Sequence, residues 1–184
     1  MDISNRFFTR VTTDKPLLVI ILPTTVSGFN IKKSHRTNVR CDFVLYHNTA
    51  AAVAVIIKYQ DELFFTVRNQ EPGKGKWDLS GGFTDPKESS EETCSRELNE
   101  ELGLKINPKE FKYLGSQPNI YPYKNIDYNT LDLFYLYEVE EKFEIQLEES
   151  EISETIWIKA SELDLDKIAF ESQKRFLKNY IDKL

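Results

Sequence analysis

This chain of 184 residues is poor in cysteine, holding only Cys41 and Cys94, and equally poor in histidine, with His35 and His47 standing apart from each other. Two cysteines cannot build the disulfide framework of a small secreted fold. Cys94 falls on a helix face expected to be buried, so a reducing compartment, the cytoplasm, is expected. No set of four Cys or His ligands exists for a structural zinc. Long apolar runs are absent too. Leu17 to Leu22 is apolar but far short of the roughly 20 residues a membrane span needs. No small-residue cleavage site follows it, so it reads as a strand and no membrane partner is expected. Positive charge is not in excess: 24 Lys and Arg stand against 30 Asp and Glu, for a net charge of −6. That balance argues against non-specific attraction to a polyanion, and no nucleic-acid partner is expected.

Hydrophobic residues make up 40% and aromatics 12%, enough for a real core in one domain with modest appendages. The informative stretch runs from Gly82 to Leu104. Gly82 is followed after five residues by Glu88, and after seven more by Arg96-Glu97-Leu98-Asn99-Glu100-Glu101-Leu102-Gly103-Leu104. With Ser89 to Leu102 as a helix, Glu97, Glu100 and Glu101 are i, i+3 and i+4, on one face. Cys94, Leu98 and Leu102 form a different stripe, suited to a sheet. Gly103 follows as the left-handed C-cap residue. Asp85 or Ser89 serves as N-cap, and Asp85-Pro86 marks a turn.

Three glutamates on one face repel each other unless a cation sits between them. Hard divalent ions take carboxylate, carbonyl and water oxygens and commonly bind phosphates as well. The cluster therefore points to Mg²⁺ or Mn²⁺ and to diphosphate chemistry. The alternative is a solvated acidic helix face, but the glycine entry, Glu88, Arg96 and the exit glycine are all in register with the cluster.

This pattern is the Nudix box, and the chain resembles the Nudix hydrolases. The resemblance covers roughly Ala51 to Leu165 and implies an α/β fold, the α/β/α sandwich with a mixed sheet. It implies that Glu97, Glu100 and Glu101, with the carbonyl of Gly81, hold the metal. Gly82, Glu88, Arg96 and Gly103 are then box support, with Glu88 near the metal in some members. Ser80 stands where the family often has proline. The catalytic base in many members comes from an acidic loop before the last strand of the domain. Here that loop holds Glu148 and Glu151, with Glu151 matching better, and Glu97 is the alternative on the helix.

The surrounding chain reads as strands at Ala51 to Lys58, Leu63 to Arg68 and Trp77 to Leu79. Further strands follow at Lys112 to Gln117, Leu131 to Glu140 and Thr155 to Ile158, with a last helix from Phe170 to Tyr180. Leu131, Leu133, Tyr135 and Tyr137 alternate on one face of their strand. Glu71 to Gly75 reads as a flexible loop. Residues 49–184 form the hydrolase domain, and 1–48 a small β-rich extension. In that extension, Leu22 to Phe29 and Asn38 to Asn48 are similar to the zinc ribbon preceding the hydrolase domain of NADH pyrophosphatases. Three of the ribbon's four cysteines are missing, so no zinc is expected.

The same members carry a Ser-Gln-Pro array after the box. Ser116, Gln117, Pro118 and Pro122 match it, and Tyr121 supplies an aromatic, whereas Asn119, Ile120 and Lys124 depart from it. Gln117, Tyr121, Tyr123 and Arg68 are the substrate-binding candidates, the aromatics by stacking on a base or nicotinamide. The resemblance thus implies a metal-dependent pyrophosphohydrolase acting on a nucleoside diphosphate linked to another group, such as ADP-ribose or NAD(H), a small-molecule substrate. A nucleoside triphosphate pyrophosphohydrolase and a non-catalytic nucleotide-binding regulator are the alternatives. A homodimer is expected by analogy, with the first 48 residues as one source of its interface.

Overall fold

An apolar run such as Ala51 to Ile57, unbroken by polar residues, suits a strand covered on both faces. In the structure, a computed structural model, that run lies inside a mixed sheet with a helix on each side. The described residues are 49–123, 126–143, 145 and 150–184, together with the backbone of 29–32, 35–38 and 44–46. Leu17 to Leu22, Cys41, most of the ribbon-like stretch, Lys124 and Glu148 lie outside them.

The chain divides into two units, 1–48 and 49–184. In the first, β1 (Phe29–Lys32), β2 (His35–Asn38) and β3 (Val44–Tyr46) form an antiparallel sheet. In the second, β4 (Ala50–Tyr59) and β5 (Glu62–Arg68) make a hairpin, and β6 (Trp77–Asp78) leads toward helix α1 (Ser90–Leu102). Then come β7 (Lys112–Tyr123), β8 (Ile126–Glu138), β9 (Ile152–Lys159) and α2 (Glu171–Ile181). The strand order is β6-β5-β4-β8-β7, with β9 also paired to β5. β4 and β8 run parallel, and the long connection that parallel pairing demands contains α1. This is the α/β/α arrangement expected from the sequence.

β4 shows why the sheet needs two covers. Val53, Val55 and Ile57 point to the α1 side, where they pack with Cys94, Leu98, Leu102 and Tyr135. Ala54 and Ile56 point the other way, into a second cluster with Phe134, Leu136, Ile168 and Leu177. The expected stripe on α1 is therefore the packed one, with Cys94 and Leu98 fully buried. Burying Leu98 and Leu102 contributes about 1.5–3 kcal/mol each.

β8 departs from the one-faced alternation of its sequence. Tyr135 and Tyr137 do face the α1 side, but Phe134 and Leu136 are buried under α2. Leu131 is 40% exposed while its neighbours Thr130 and Asp132 are buried, Asp132 accepting from Ser172 of α2, so at this point only the α2 side of β8 is covered. β7 reaches six residues further than the strand expected to end at Gln117, through Pro118 and Pro122 to Tyr123. It lies last in the strand order, and an edge strand tolerates residues that cannot donate to a ladder. The 71–75 loop, expected to be flexible, is bonded back to β5: Arg68 N–H donates to the Lys76 carbonyl and Gly75 N–H to the Arg68 carbonyl.

Candidate functional site

The box helix is closed at both ends by its own sequence. Ser89 is the N-cap; its hydroxyl accepts from the Glu92 N–H, and the Glu92 carboxylate takes the Ser89 N–H in return. Asp85 serves the preceding turn, where its N–H meets the Glu88 carboxylate. Gly103 ends the helix with φ at 72°.

The two glycines before the helix answer two different crowding problems. A Cβ on Gly81 would lie 2.1 Å from the Val53 carbonyl oxygen, and its φ of +152° disfavours other residues. A Cβ on Gly82 would lie 2.4 Å from a carboxylate oxygen of Glu97. Gly81 thus lets the segment approach β4, and Gly82 leaves space for the Glu97 carboxylate. Val53 N–H donates to the Gly82 carbonyl at 2.8 Å and Val55 N–H to that of Ser80 at 2.9 Å. The Gly81 carbonyl between them is not taken up by β4.

Arg96 organises the acidic face. Its guanidinium donates to Glu88 at 2.8 Å, to Glu97 at 2.7 Å, to Glu100 at 3.1 Å and to the Phe83 carbonyl at 3.0 Å. Glu88 is thereby fixed as a brace between loop and helix, and Arg96 holds its carboxyl below the usual carboxylate range. Glu97 is buried, while Glu100 is largely exposed. Because Arg96 draws Glu97 and Glu100 to itself, no three ligating side chains stand gathered around one point among the described residues.

Glu101 is different. Its side chain is half-buried and its carboxyl accepts from the Gly81 N–H at 3.3 Å. Burial first, then the neighbouring Asp78, Glu97 and Glu151, push it well above the ordinary carboxylate range. A half-enclosed carboxyl among acidic neighbours calls for a cation or a proton. Carboxylate and carbonyl oxygens suit a hard divalent ion, so the residues present fit the group that the box implies.

The same neighbourhood places the proposed base. Asn69 N–H donates to the Glu151 carbonyl at 2.7 Å, fixing the start of β9, and the Glu151 charge acts on Glu101. Asp78 was not evident from the sequence, because its partners are remote. One of its oxygens accepts from Gln173 on α2 at 2.6 Å, and the other from Arg68. Burial raises the Asp78 carboxyl, with Arg68 and Gln173 opposing that shift.

Beside Asp78 stands an aromatic wall. The Tyr121 ring meets Phe83 edge-on at 5.5 Å and lies 5.8 Å from Phe170. Burial raises the Tyr121 hydroxyl, with the Arg68 charge opposing that shift and Tyr123 adding to it. Phe83 and Tyr123 are each 38% exposed, so parts of the wall face solvent. Gln117 is grouped elsewhere, in a groove of about 450 Å³ between β7 and α2 with Phe176, Asn179 and Tyr180. Sequence reading missed Phe83, Asp78, Phe170 and Gln173; of these only Phe83, inside the box, had a local signal.

Comparison with known families gives a match to the NUDIX domain over residues 47–180. The chain belongs to the Nudix family. A similar curated protein is the NAD-capped RNA hydrolase NudC of Mannheimia succiniciproducens, 30% identical over 130 residues, which covers 68% of this chain and 45% of that protein. The chain therefore matches under half the length of that relative. The ADP-ribose pyrophosphatase of Methanocaldococcus jannaschii is 40% identical over 60 residues, covering 33% of this chain and 36% of the other. Among solved structures, a Nudix hydrolase from Nitrosomonas europaea superposes with a TM-score of 0.61 at 19% identity, covering 84% of this chain and 85% of its own. That likeness supports the Nudix fold of residues 49–184. No helix among the described residues is long and apolar enough to cross a membrane.

Proposed function

We propose that the chain is a metal-dependent pyrophosphohydrolase cleaving a nucleoside diphosphate linked to another moiety, of the ADP-ribose or NAD(H) kind. The observation that carries the reading is Glu101, half-buried at the end of a complete Nudix box, hydrogen-bonded to the Gly81 N–H and set among the acidic Asp78, Glu97 and Glu151. Glu97, Glu100, Glu101 and the Gly81 carbonyl would hold Mg²⁺ or Mn²⁺. When bound, such an ion offsets charge on phosphate oxygens and orients the attacking water. Glu151 accepts the proton of that water, which attacks one phosphorus; the bond to the bridging oxygen breaks and two phosphomonoesters leave. Glu97 on the helix and Glu148 in the acidic loop are the other candidates for the base. Tyr121 and Tyr123 offer aromatic surface to the nucleoside side, and Gln117 a polar group further along β7.

A second reading concerns the size of the substrate. The relative from Mannheimia succiniciproducens is named for NAD-capped RNA, and a capped RNA end presents the same diphosphate bond. The test is a panel of ADP-ribose, NADH, nucleoside triphosphates and NAD-capped RNA, with Mg²⁺ or Mn²⁺ and product identification. Two monophosphates from the linked diphosphates are expected. Pyrophosphate release from triphosphates alone would replace the reading with a triphosphate hydrolase. Binding without metal-dependent turnover on any substrate would replace it with a regulatory domain. Sedimentation of the same preparation reads the homodimer expected by analogy.

A further inference from the structure

Arg68 ends β5 and was a candidate for gripping substrate phosphate, yet its guanidinium is largely enclosed, with 16% of the side chain exposed. Its Nε donates to the Pro72 carbonyl at 2.6 Å. One of its terminal nitrogens pairs with Asp78, and its charge acts on the hydroxyl of Tyr121, whose ring lies 5.8 Å from that of Phe170. The face of the same guanidinium lies over the Phe170 ring, 5.0 Å from its centre. Four segments thus meet around one side chain, two of them near in sequence (the 69–76 loop and β6) and two remote (β7 and the approach to α2). A planar guanidinium can donate from its edges while offering a face to an aromatic ring, and a lysine ammonium cannot do both.

We propose that Arg68 is a positioning residue that braces Tyr121 and Phe170 against Asp78 and so sets the aromatic wall in place beside Glu101. Part of this rests on the hydrolase reading above, because the wall matters for turnover only if a nucleoside packs on it. Asp78 is itself clamped from α2 by Gln173, which also takes the Leu79 N–H at 3.2 Å. The brace therefore starts from a fixed point and ends on two rings. Its effect falls on binding of the nucleoside side, away from the reacting phosphorus.

The test compares wild type, R68K, Y121F and the double variant with ADP-ribose and Mn²⁺. Arg68→Lys keeps the charge beside Asp78 and loses the planar brace. It is expected to raise KM about tenfold while kcat stays within about threefold, the size of one lost cation–π contact with one charge-assisted hydrogen bond. Y121F removes the hydroxyl that feels the Arg68 charge, and the double variant is expected to raise KM by less than the product of the single effects, as residues that share Phe170 as a neighbour do. Multiplying effects, or a loss confined to kcat, would overturn the proposal and return Arg68 to the reacting phosphate. Hydrogen exchange supplies a readout independent of turnover. R68K is expected to speed exchange in 119–123 and 168–173 and leave 90–102 unchanged; unchanged exchange in both wall segments would refute the brace. If wild type turns over nothing while the exchange pattern appears, the brace stands and the hydrolase reading falls.

Discussion

Replacing each glycine of the Gly81-Gly82 pair by alanine separates a structural demand from a functional one. At Gly82 the new Cβ would meet Glu97 Oε1 at 2.4 Å, Cδ at 2.5 Å and Oε2 at 2.8 Å, where ordinary contact begins at 3.4 Å. The Glu97 carboxylate must therefore retreat by roughly 1 Å, a shift that side-chain torsions can supply. Its pairing with Arg96 and its place beside Glu101 are disturbed in the process. At Gly81 the new Cβ would meet the Val53 carbonyl oxygen at 2.1 Å, the carbonyl carbon at 2.9 Å and the Ala54 Cα at 3.2 Å, all main-chain atoms of a central strand. Here nothing yields without moving β4, and the φ of +152° adds backbone strain. Overpacking costs about 1–3 kcal/mol and such strain about 1–3 kcal/mol more, so Gly81→Ala is expected to lose about 2–6 kcal/mol. Gly82→Ala is expected to lose about 1–2 kcal/mol, the low end of overpacking. Thermal unfolding by circular dichroism, without added metal, reads both. At about 2–4 °C per kcal/mol for this size, Gly82→Ala melts within about 8 °C of wild type, and Gly81→Ala well below it. Turnover of Gly82→Ala in Mn²⁺ is expected to fall by about 10–100-fold, as when a partner that orients a metal ligand is lost. Equal melting temperatures for the two variants, or a Gly82→Ala enzyme with wild-type turnover, would refute the reasoning.

Glu101→Gln removes a half-buried carboxyl set among like charges. Its metal-free melting temperature is expected to equal or exceed that of wild type, while turnover falls by about 100-fold or more, in the range of losing one transition-state contact. Ser89→Ala deletes the capping-box hydroxyl and is expected to cost about 1 kcal/mol, seen as a lower melting temperature with unchanged kcat. Glu88 has a folded-state carboxyl held down by Arg96, so its contribution is full above the unfolded value of about 4.3 and is lost as pH falls through the depressed folded value. The stability gap between wild type and Glu88→Gln, measured by urea unfolding, is expected to stay level from pH 7 to about pH 5 and to narrow only as pH falls below about 4.3.

Local chemistry explains which parts were legible in the sequence. Helix α1 was readable because its period, its Ser89 cap and its Gly103 stop lie within fifteen consecutive residues and agree with one another. β4 was readable as an apolar run, though the run alone does not say what covers each face. The alternation in β8 suggested one buried face, and a position between β4 and β7, under both helices, overrode it. The Ser-Gln-Pro array is an edge strand whose Tyr121 reaches the site while Gln117 lines a separate groove.

Asp78 shows where such reading stops. Its ligating geometry depends on Gln173, 95 residues away, and on Arg68, and no local spacing links the three. The consequence is mechanical as well as informational. Arg96 gathers the carboxylates that the box spells out, and Arg68 gathers the groups it does not. Each guanidinium has a fixed anchor, Glu88 for Arg96 and Asp78 for Arg68, and each extends from that anchor to groups of the site. Glu101 forms no ion pair with either arginine; its hydrogen bond is to the Gly81 N–H. It is thus the carboxylate with most to gain from a bound cation, and the acidic position of the box that Arg96 does not compensate. Substituting Glu101 should therefore separate metal affinity from helix stability more cleanly than substituting Glu97, whose loss also unbalances Arg96.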